Sequence, residues 1–313
     1  MSRKRLKKGV LKGGNETLES VVPLFLTAKE AQGVADKTVE SYKSHLKTIG
    51  NCLDFSIRFD DLCKEDLDAM IVAMRHKGLA HNTIASYCRV MRTFLHWCAE
   101  ESYTDVECPK IKPKETIKET YTDEDLEVLL RRPAKDADFT EYRNWVIINF
   151  LLNSGCRAGT ISDIQNRDVF LDKKQVLYRH TKNGKVQVVP LCNQMVRILR
   201  EYMGVRKGAP EDYLFCNQYG DYLCSRSVSQ AIRKYNQKRA IRVSSVHAIR
   251  HSFARKFLLD CGGDAFTLQK LLGHSTLAMT KHYCAIFDSD IAENYDKLSP
   301  LAQMYKQREK IKR

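Results

Sequence analysis

Side chains that bind anions, move protons or act as nucleophiles stand close together between Ser244 and Cys284. Among them are His247, Arg250, His251, His274 and Tyr283. An imidazole exchanges protons near neutral pH, a guanidinium donates paired hydrogen bonds to oxyanions, and an activated tyrosine hydroxyl is a nucleophile. The stretch is therefore predicted to gather cationic and proton-transferring groups around one tyrosine.

A further cation, Arg157, lies upstream of this stretch. It follows Trp145 to Leu152, an almost unbroken apolar run that predicts a helix buried on most sides, and Gly155 fits the C-terminal cap of that helix. Such a position delivers a permanent positive charge to the edge of the core. The alternative for Arg157 is a structural ion pair with Asp163 or Asp168.

A second upstream cation, Lys182, directly precedes Asn183-Gly184, which is a strong signal for a type I′ hairpin. Lys182 is therefore expected at a hairpin tip, from which it can swing into a site. The alternative is that it serves only as a solubilising charge in a turn. The alternating apolar residues that predict the two strands are Val176 and Tyr178 before the turn, and Val186 and Val188 after it.

The central stretch is predicted to form three short helices separated by glycines. They run from a Ser245 cap to Gly262-Gly263, from Asp264 to Leu272, and from a Thr276 cap toward Phe287. His247 and Arg250 are three residues apart, so they share a helical face. His274 follows Gly273 at a helix junction, where a backbone turn can aim its side chain.

Together these residues resemble the tyrosine recombinase family, the phage integrase type of site-specific recombinase. The match covers about Tyr121 to Phe287 well and the helical region before it more loosely. One departure is Thr160, since the family often has an acidic residue three positions after the first arginine. The matching motifs are Gly155-Cys156-Arg157, Lys182 before a Val-Pro-Leu strand end, His247-Ala248-Ile249-Arg250-His251, Leu272-Gly273-His274, and Tyr283 nine residues after His274.

The resemblance implies cleavage of a DNA strand through a reversible bond between a tyrosine and a 3′-phosphate. It assigns Tyr283 as the nucleophile, Arg157 and Arg250 as the clamp on the phosphate oxygens, Lys182 as the general acid for the leaving 5′-oxygen, His247 as the acceptor of the tyrosine proton, and His274 as a hydrogen-bond partner of the phosphate. These roles agree with the chemistry of the side chains. Because arginine, lysine and histidine supply the positive charge, no metal and no cofactor is expected.

Alternatives from other classes remain open at this stage. A type IB topoisomerase uses similar tyrosine chemistry but does not exchange DNA partners. A zinc enzyme would use His247 and His251, although Ala248 stands where a zincin has its glutamate. A protein that only binds DNA would explain the charge but not the full set of residues. Among recombinases, integration or excision of a mobile element is preferred, and Xer-type resolution of chromosome or plasmid dimers is the alternative.

The composition favours a polyanionic partner. The 313 residues carry 52 Lys and Arg against 38 Asp and Glu, a formal net charge of +14, which does not by itself separate DNA from RNA or an acidic membrane. No apolar run reaches the roughly 18 residues that span a bilayer, and no signal peptide is evident. The chain is therefore expected to be soluble and cytoplasmic, and nucleoid-associated when bound to DNA. The 11 cysteines show no Cys-x-x-Cys pair and are expected to be reduced thiols.

The predicted fold has two domains, an all-α N-terminal bundle of four helices and a mainly α (α+β) catalytic domain with a small β-sheet. Its parts are a basic flexible arm at 1–16, a helical core-DNA-binding domain at 17–102, a basic linker at 103–120, the catalytic domain at 121–290 and a tail at 291–313. The resemblance implies double-stranded DNA with specific recombination sites as partner, a homo-tetramer on two duplexes with the tail packed in trans, and room for accessory DNA-bending proteins.

Three local features complete the prediction. Asn82 is expected to cap the fourth helix of the bundle. Thr122 to Asp125 is expected to form a capping box that opens the catalytic domain, and Tyr213 to Cys216 a short strand.

Overall fold

The computed structural model describes residues 15–114, 119–179, 184, 186–281, 295, 299–302 and 304. The chain divides into two compact units, Met1–Thr116 and Ile117–Arg313. Helices predominate in the described residues of both units, and the second unit also holds a small antiparallel sheet. The predicted fold class is therefore confirmed. None of the described helices combines the length and the apolar character needed to cross a bilayer.

The first unit is a bundle of four helices whose apolar residues recur at helical spacing and pack into one core. A capping box opens the first helix, since the Thr17 hydroxyl accepts a hydrogen bond from the Ser20 N–H and the Ser20 hydroxyl accepts one from the Thr17 N–H. The helices are α1 Leu18–Ala31, α2 Asp36–Ile49, α3 Lys64–His76 and α4 His81–Glu100.

The predicted cap of α4 is wrong. The N-cap position is Ala80, and Asn82 lies inside the first turn. Its side-chain amide is engaged elsewhere, because Nδ2 donates to the Lys114 carbonyl at 3.0 Å and Oδ1 accepts from the Lys114 N–H at 2.8 Å. Asn82 therefore fixes the segment that leaves the bundle and does not cap the helix.

The second unit is built around the helix Phe139–Ser154, which is buried along most of its length. The capping box predicted at the start of this unit is present, since the Thr122 hydroxyl accepts a hydrogen bond from the Asp125 N–H at 3.2 Å and the Asp125 carboxylate accepts one from the Thr122 N–H. A 3₁₀ turn covers Asn166–Asp168. The helices of this unit are α5 Asp123–Leu130, α6 Phe139–Ser154, α7 Ala158–Ser162, α8 Asn193–Arg206, α9 Ser225–Gln237, α10 Val246–Leu259, α11 Ala265–Leu272 and α12 Leu277–Lys281.

The sheet has the order β1-β2-β3, with strands Val169–Phe170, Gln175–Tyr178 and Gln187–Pro190. Residues paired directly across antiparallel strands point to the same face. Val176 pairs with Val189, and both are buried. The alternation predicted for the last strand therefore has the wrong phase, because Val186 and Val188 are 65% and 55% exposed.

The strand predicted at Tyr213 to Cys216 does not form. Each end makes only a single bridge, Tyr213 with Gln165 and Cys216 with Tyr222, and these two partners belong to different segments. The residues between them are fully buried, so their apolar character reflects packing against the core and not a strand ladder.

Candidate active site

The turn after α6 brings Arg157 to the edge of the core. Gly155 ends the helix in the left-handed conformation, with φ +58°. A Cβ atom on Gly155 would lie 2.4 Å from Phe253 Cδ1 and 2.8 Å from Leu272 Cδ2, so no side chain fits there. The chain turns sharply at this glycine, and the half-buried Arg157 takes the N-cap position of α7.

Arg250 lies at the centre of the site and is 2% exposed. It is carried by α10, which begins at a Ser245 cap as predicted. Its Nη1 donates to the Gly155 carbonyl at 2.7 Å, and its Nη2 donates to the Leu272 carbonyl at 3.1 Å. Both carbonyls lie at helix C-termini, where the helix dipole concentrates negative partial charge. The ends of α6 and α11 therefore hold a buried guanidinium in a fixed orientation.

His274 contacts Arg250 directly. The ring is 8% exposed, its Nε2 lies 2.7 Å from Arg250 Nη2, and its Nδ1 lies 2.8 Å from Thr280 Oγ1. Burial, then the charge of Arg250, then that of Arg157 lower the pKa of His274 from 6.5 to about 4. The ring is therefore neutral at pH 7, and Arg157 is near enough for its charge to lower the pKa of the ring.

The turn that carries His274 is held by a strand residue. Gln187 of β3 donates from Nε2 to the Lys270 and Leu271 carbonyls, both at 2.9 Å, at the end of α11. Gly273 has φ +63°, and a Cβ atom there would lie 2.6 Å from Gln187 Oε1. The strand that follows the predicted lysine hairpin is thus packed against the turn before His274.

His247 occupies a different environment from Arg250, although both lie on α10. It is exposed in the first turn and lines an open cleft of about 410 Å³. Ala158, the residue after Arg157, lines the same cleft, as do Arg226 and Arg233 of α9. The cleft beside the buried cluster therefore combines an imidazole that is open to solvent with two exposed cations.

The structure brings together Arg157, Arg250 and His274, and it places His247 in the adjoining cleft. Lys182 and Tyr283 lie outside the described residues, as does most of the predicted hairpin tip. Gly184 of that turn is described and has φ +67°, a backbone conformation typical of tight turns.

The two carboxylates considered as structural partners of Arg157 have other contacts. Asp168 is 1% exposed and accepts from Arg179 Nε at 2.5 Å. Asp163 accepts from the Tyr222 hydroxyl at 2.9 Å. These contacts give the two acids structural roles of their own.

Three positioning contacts were not predicted from the sequence, those of Gln187, Thr280 and Asn236. The side chain of Asn236 is fully buried, and its Nδ2 donates to Tyr121 Oη at 2.7 Å and to the Val243 carbonyl at 2.9 Å, which fixes the segment before α10. Asn236 lies four residues after Ile232 on the apolar stripe of α9, so a polar residue in a buried register was the available signal. For Gln187 and Thr280 the sequence offers no comparable signal.

Within the described ranges, no group of three or more His, Cys, Asp or Glu side chains lies close enough together to hold a metal ion. The two histidines considered for a zinc site differ in exposure, since His247 is exposed and His251 is half-buried.

Comparison with known proteins gives consistent matches. Residues 119–289 match the model of the phage integrase family. Tyrosine recombinase XerC from Neisseria meningitidis serogroup C is 28% identical over 284 residues, which cover 87% of this chain and 92% of that protein. XerC from Thermodesulfovibrio yellowstonii is 25% identical over 294 residues, which cover 88% and 94%.

Solved structures of similar fold include a lambda integrase (75–356) dimer bound to a COC′ core site, with a TM-score of 0.72 and 15% identity over 86% of this chain and 95% of that one. The Tn1549 transposon integrase in complex with transposon right end DNA has a TM-score of 0.70 and 18% identity over 89% of this chain and 99% of that one. The predicted resemblance is thus confirmed: the chain belongs to the phage integrase family and is a tyrosine recombinase.

Proposed function

We propose that this enzyme is a site-specific DNA recombinase that cuts and rejoins strands through a 3′-phosphotyrosyl intermediate on Tyr283, and that it integrates or excises a mobile genetic element. The observation that carries the proposal is the hydrogen bond between the buried Arg250 and His274, with the charge of Arg157 close by. Two guanidiniums and an imidazole around one point form a receptor for the non-bridging oxygens of a phosphodiester.

In the cleavage step, the oxygen of Tyr283 forms a bond to phosphorus while the bond from phosphorus to the 5′-oxygen breaks. The phenolic proton passes to His247, whose exposure in the cleft leaves the ring accessible. Lys182 donates a proton to the departing 5′-oxygen. Reversal with the 5′-end of another strand restores the tyrosine and completes strand exchange, so the bond energy is conserved.

The buried cluster supplies the electrostatic part of this step. Arg250 is held by two carbonyls, so its planar fork is oriented before DNA binds and reorganises little. His274 is neutral in the free protein. A phosphate anion placed beside the ring raises the pKa of His274. Once Nε2 is protonated, it no longer accepts from Arg250 and donates to a phosphate oxygen instead.

Double-stranded DNA with specific sites is the proposed partner, in line with the net charge of +14. In this scheme residues 17–102 bind the core site, 103–120 form the strap between domains, and 121–290 carry the chemistry. A homo-tetramer on two duplexes, with the tail at 291–313 packed in trans, would carry out exchange. The lambda integrase tetramer bound to a Holliday junction has this stoichiometry and a TM-score of 0.72 to this chain, at 16% identity.

A suicide substrate tests the chemistry. A nick close to the cleavage site lets the 5′-hydroxyl fragment diffuse away and traps the covalent complex, which migrates slowly on a denaturing gel. Wild type is expected to form the complex in the presence of chelator, and Tyr283→Phe is expected to form none. Tyr219→Phe is the matched control, since Tyr219 is 80% exposed at a loop tip and has no proposed role. Covalent attachment by the Tyr283→Phe variant, or cleavage that requires added magnesium, would refute the proposal.

Resolution of chromosome or plasmid dimers is the second candidate. It is favoured by the XerC relatives, whose matches span 87% and 88% of this chain. The two biological roles are separated by comparing recombination between the ends of a mobile element with resolution of a plasmid dimer that carries chromosomal candidate sites. Relaxation of supercoils with no exchange between two marked sites would instead identify a type IB topoisomerase.

A further inference from the structure

Thr280 lies in α12, three residues before Tyr283 in the sequence. Its side chain is fully buried, and its Oγ1 lies 2.8 Å from Nδ1 of His274. The neighbouring segment is tied to the same turn, because the Met279 N–H donates to the Thr276 carbonyl at 3.2 Å. The last buried side chain described before the tyrosine therefore contacts the active-site histidine.

The direction of this hydrogen bond follows from the other side of the ring. Arg250 Nη2 lies 2.7 Å from Nε2 of His274, and a guanidinium carries only donors. Nε2 must therefore be the unprotonated acceptor of that bond. A neutral imidazole has one proton, which must then be on Nδ1, and Nδ1–H donates to the Thr280 oxygen.

The contact differs from those of two other buried hydroxyls in this unit. Ser154 and Ser162 each donate to the carbonyl four residues earlier in their own helix, those of Phe150 and Ala158. Such bonds satisfy the hydroxyl donor within its own helix. The hydroxyl of Thr280 instead contacts a functional ring from another segment.

We propose that Thr280 is a positioning residue for strand cleavage: its hydroxyl accepts a hydrogen bond from Nδ1–H of His274, keeps Nε2 directed toward Arg250, and ties α12 to the turn that carries His274. The proposal rests on the proposed function. Hydrogen bonds connect the Gly155 carbonyl, Arg250, His274 and Thr280 in one array, so the guanidinium and α12 are held by the same ring.

The ring tautomer is the first test, and it requires no DNA. In the full-length protein with ¹⁵N-labelled histidine, the shifts of His274 at pH 7 are expected to show a protonated Nδ1 and an unprotonated Nε2. In Thr280→Val, which keeps the shape of the side chain but has no acceptor, that preference is expected to be lost. Thr280→Ser is expected to keep it.

Cleavage of the suicide substrate is the second test. For Thr280→Val, the rate of covalent complex formation at saturating DNA is expected to fall about tenfold to a hundredfold, because a buried donor is left unsatisfied next to the phosphate site. The apparent Kd for DNA is expected to stay within about twofold, because the phosphate contacts that dominate DNA affinity are retained. Thr280→Ser is expected to restore the rate. Thr104→Val is the matched control, since Thr104 is a buried, hydrogen-bonded threonine of the other unit that is 4% exposed.

The outcomes separate the two proposals. A wild-type ring protonated on Nε2, or a Thr280→Val variant that cleaves at the wild-type rate, would overturn the role of Thr280 while recombination stands. A wild-type protein that never becomes attached to DNA would refute the proposed function itself. If Thr280→Val does not fold, the wild-type tautomer and the rate of Thr280→Ser decide the question.

Discussion

Replacing Gly155 with alanine tests how the turn after α6 builds the site. The new Cβ would meet Phe253 Cδ1 at 2.4 Å and Leu272 Cδ2 at 2.8 Å, and it would sit on a residue with φ +58°. A left-handed conformation costs an L-residue about 1–2 kcal/mol, and forcing extra volume into a packed core costs about 1–3 kcal/mol. The free energy of unfolding of the second unit is therefore expected to fall by about 2–5 kcal/mol.

Two other glycines of this unit separate the contributions. Gly262 has φ +67°, but no atom lies within 4 Å of the position that a Cβ would take there, so Gly262→Ala isolates the conformational cost of about 1–2 kcal/mol. Gly159 lies in α7 with open space and no positive φ, so Gly159→Ala is expected to be neutral or to stabilise by about 0.4–1 kcal/mol.

Urea unfolding followed by tryptophan fluorescence measures all three variants. The chain has two tryptophans, Trp97 in the first unit and Trp145 in the second, so a Trp97→Phe background reports the second unit alone. Gly155→Ala is also expected to slow covalent complex formation, because the Gly155 carbonyl orients Arg250. The steric reasoning would be refuted if Gly155→Ala lowered the urea midpoint no more than Gly262→Ala.

Three further predictions concern the groups that hold the cluster. Gln187→Leu removes two hydrogen bonds to the end of α11 and is expected to cost about 1–3 kcal/mol in urea unfolding and to slow cleavage, whereas Gln175→Leu, exposed on β2, is expected to do neither. In Arg250→Lys, an ammonium cannot reproduce the planar hydrogen bonds of the guanidinium to the two carbonyls and the His274 ring, so the cleavage rate is expected to fall about a hundredfold to a thousandfold. A rate within about threefold of wild type would contradict this. The pKa of His274 is about 4 in the folded protein and 6.5 ordinarily, so below pH 6.5 the unfolded chain binds a proton that the folded protein does not. The contribution of His274 to the free energy of unfolding is therefore fully present above pH 6.5 and is lost as the pH falls toward 4. Wild type is expected to lose about 3 kcal/mol more than His274→Gln over that window, and parallel pH curves would contradict the reasoning.

The helical parts of the fold could be predicted because their signals are local. The spacing of apolar residues defines a buried face within a few turns, and caps such as Thr122 and Ser245 act within three residues. The need for glycine at 155 and 273 could also be predicted, since helix ends favour the left-handed conformation. Why no larger residue fits at these positions depends on Phe253, Leu272 and Gln187, which the sequence does not place nearby.

Two of the wrong predictions, the cap at Asn82 and the buried face of β3, have the same origin. Asn82 is a residue type that favours helix N-caps, yet its side-chain amide makes its hydrogen bonds with the backbone of Lys114, 32 residues away. The buried face of β3 is set by the pairing of Val176 with Val189, and alternation within one strand does not fix which phase faces inward. Contacts between distant segments therefore decided both outcomes.

For the site, the motifs identified the family, but they did not determine the state of each group. The arginine and histidines were predicted as one cationic set. The structure instead gives His274 a neutral ring inside the protein and leaves His247 exposed in a cleft. That difference arises from burial and from the neighbouring guanidiniums, which only the tertiary structure brings together.

Transfer of a phosphodiester to one tyrosine is the step on which the proposed function depends. The most direct measurement is mass spectrometry of peptides from the complex trapped on a nicked suicide substrate in the presence of chelator. A nucleotide adduct, linked through a 3′-phosphate, is expected on the peptide that contains Tyr283, and no adduct is expected from the Tyr283→Phe protein. An adduct on another residue, a 5′-phosphate linkage, or cleavage with no adduct at all would contradict this mechanism.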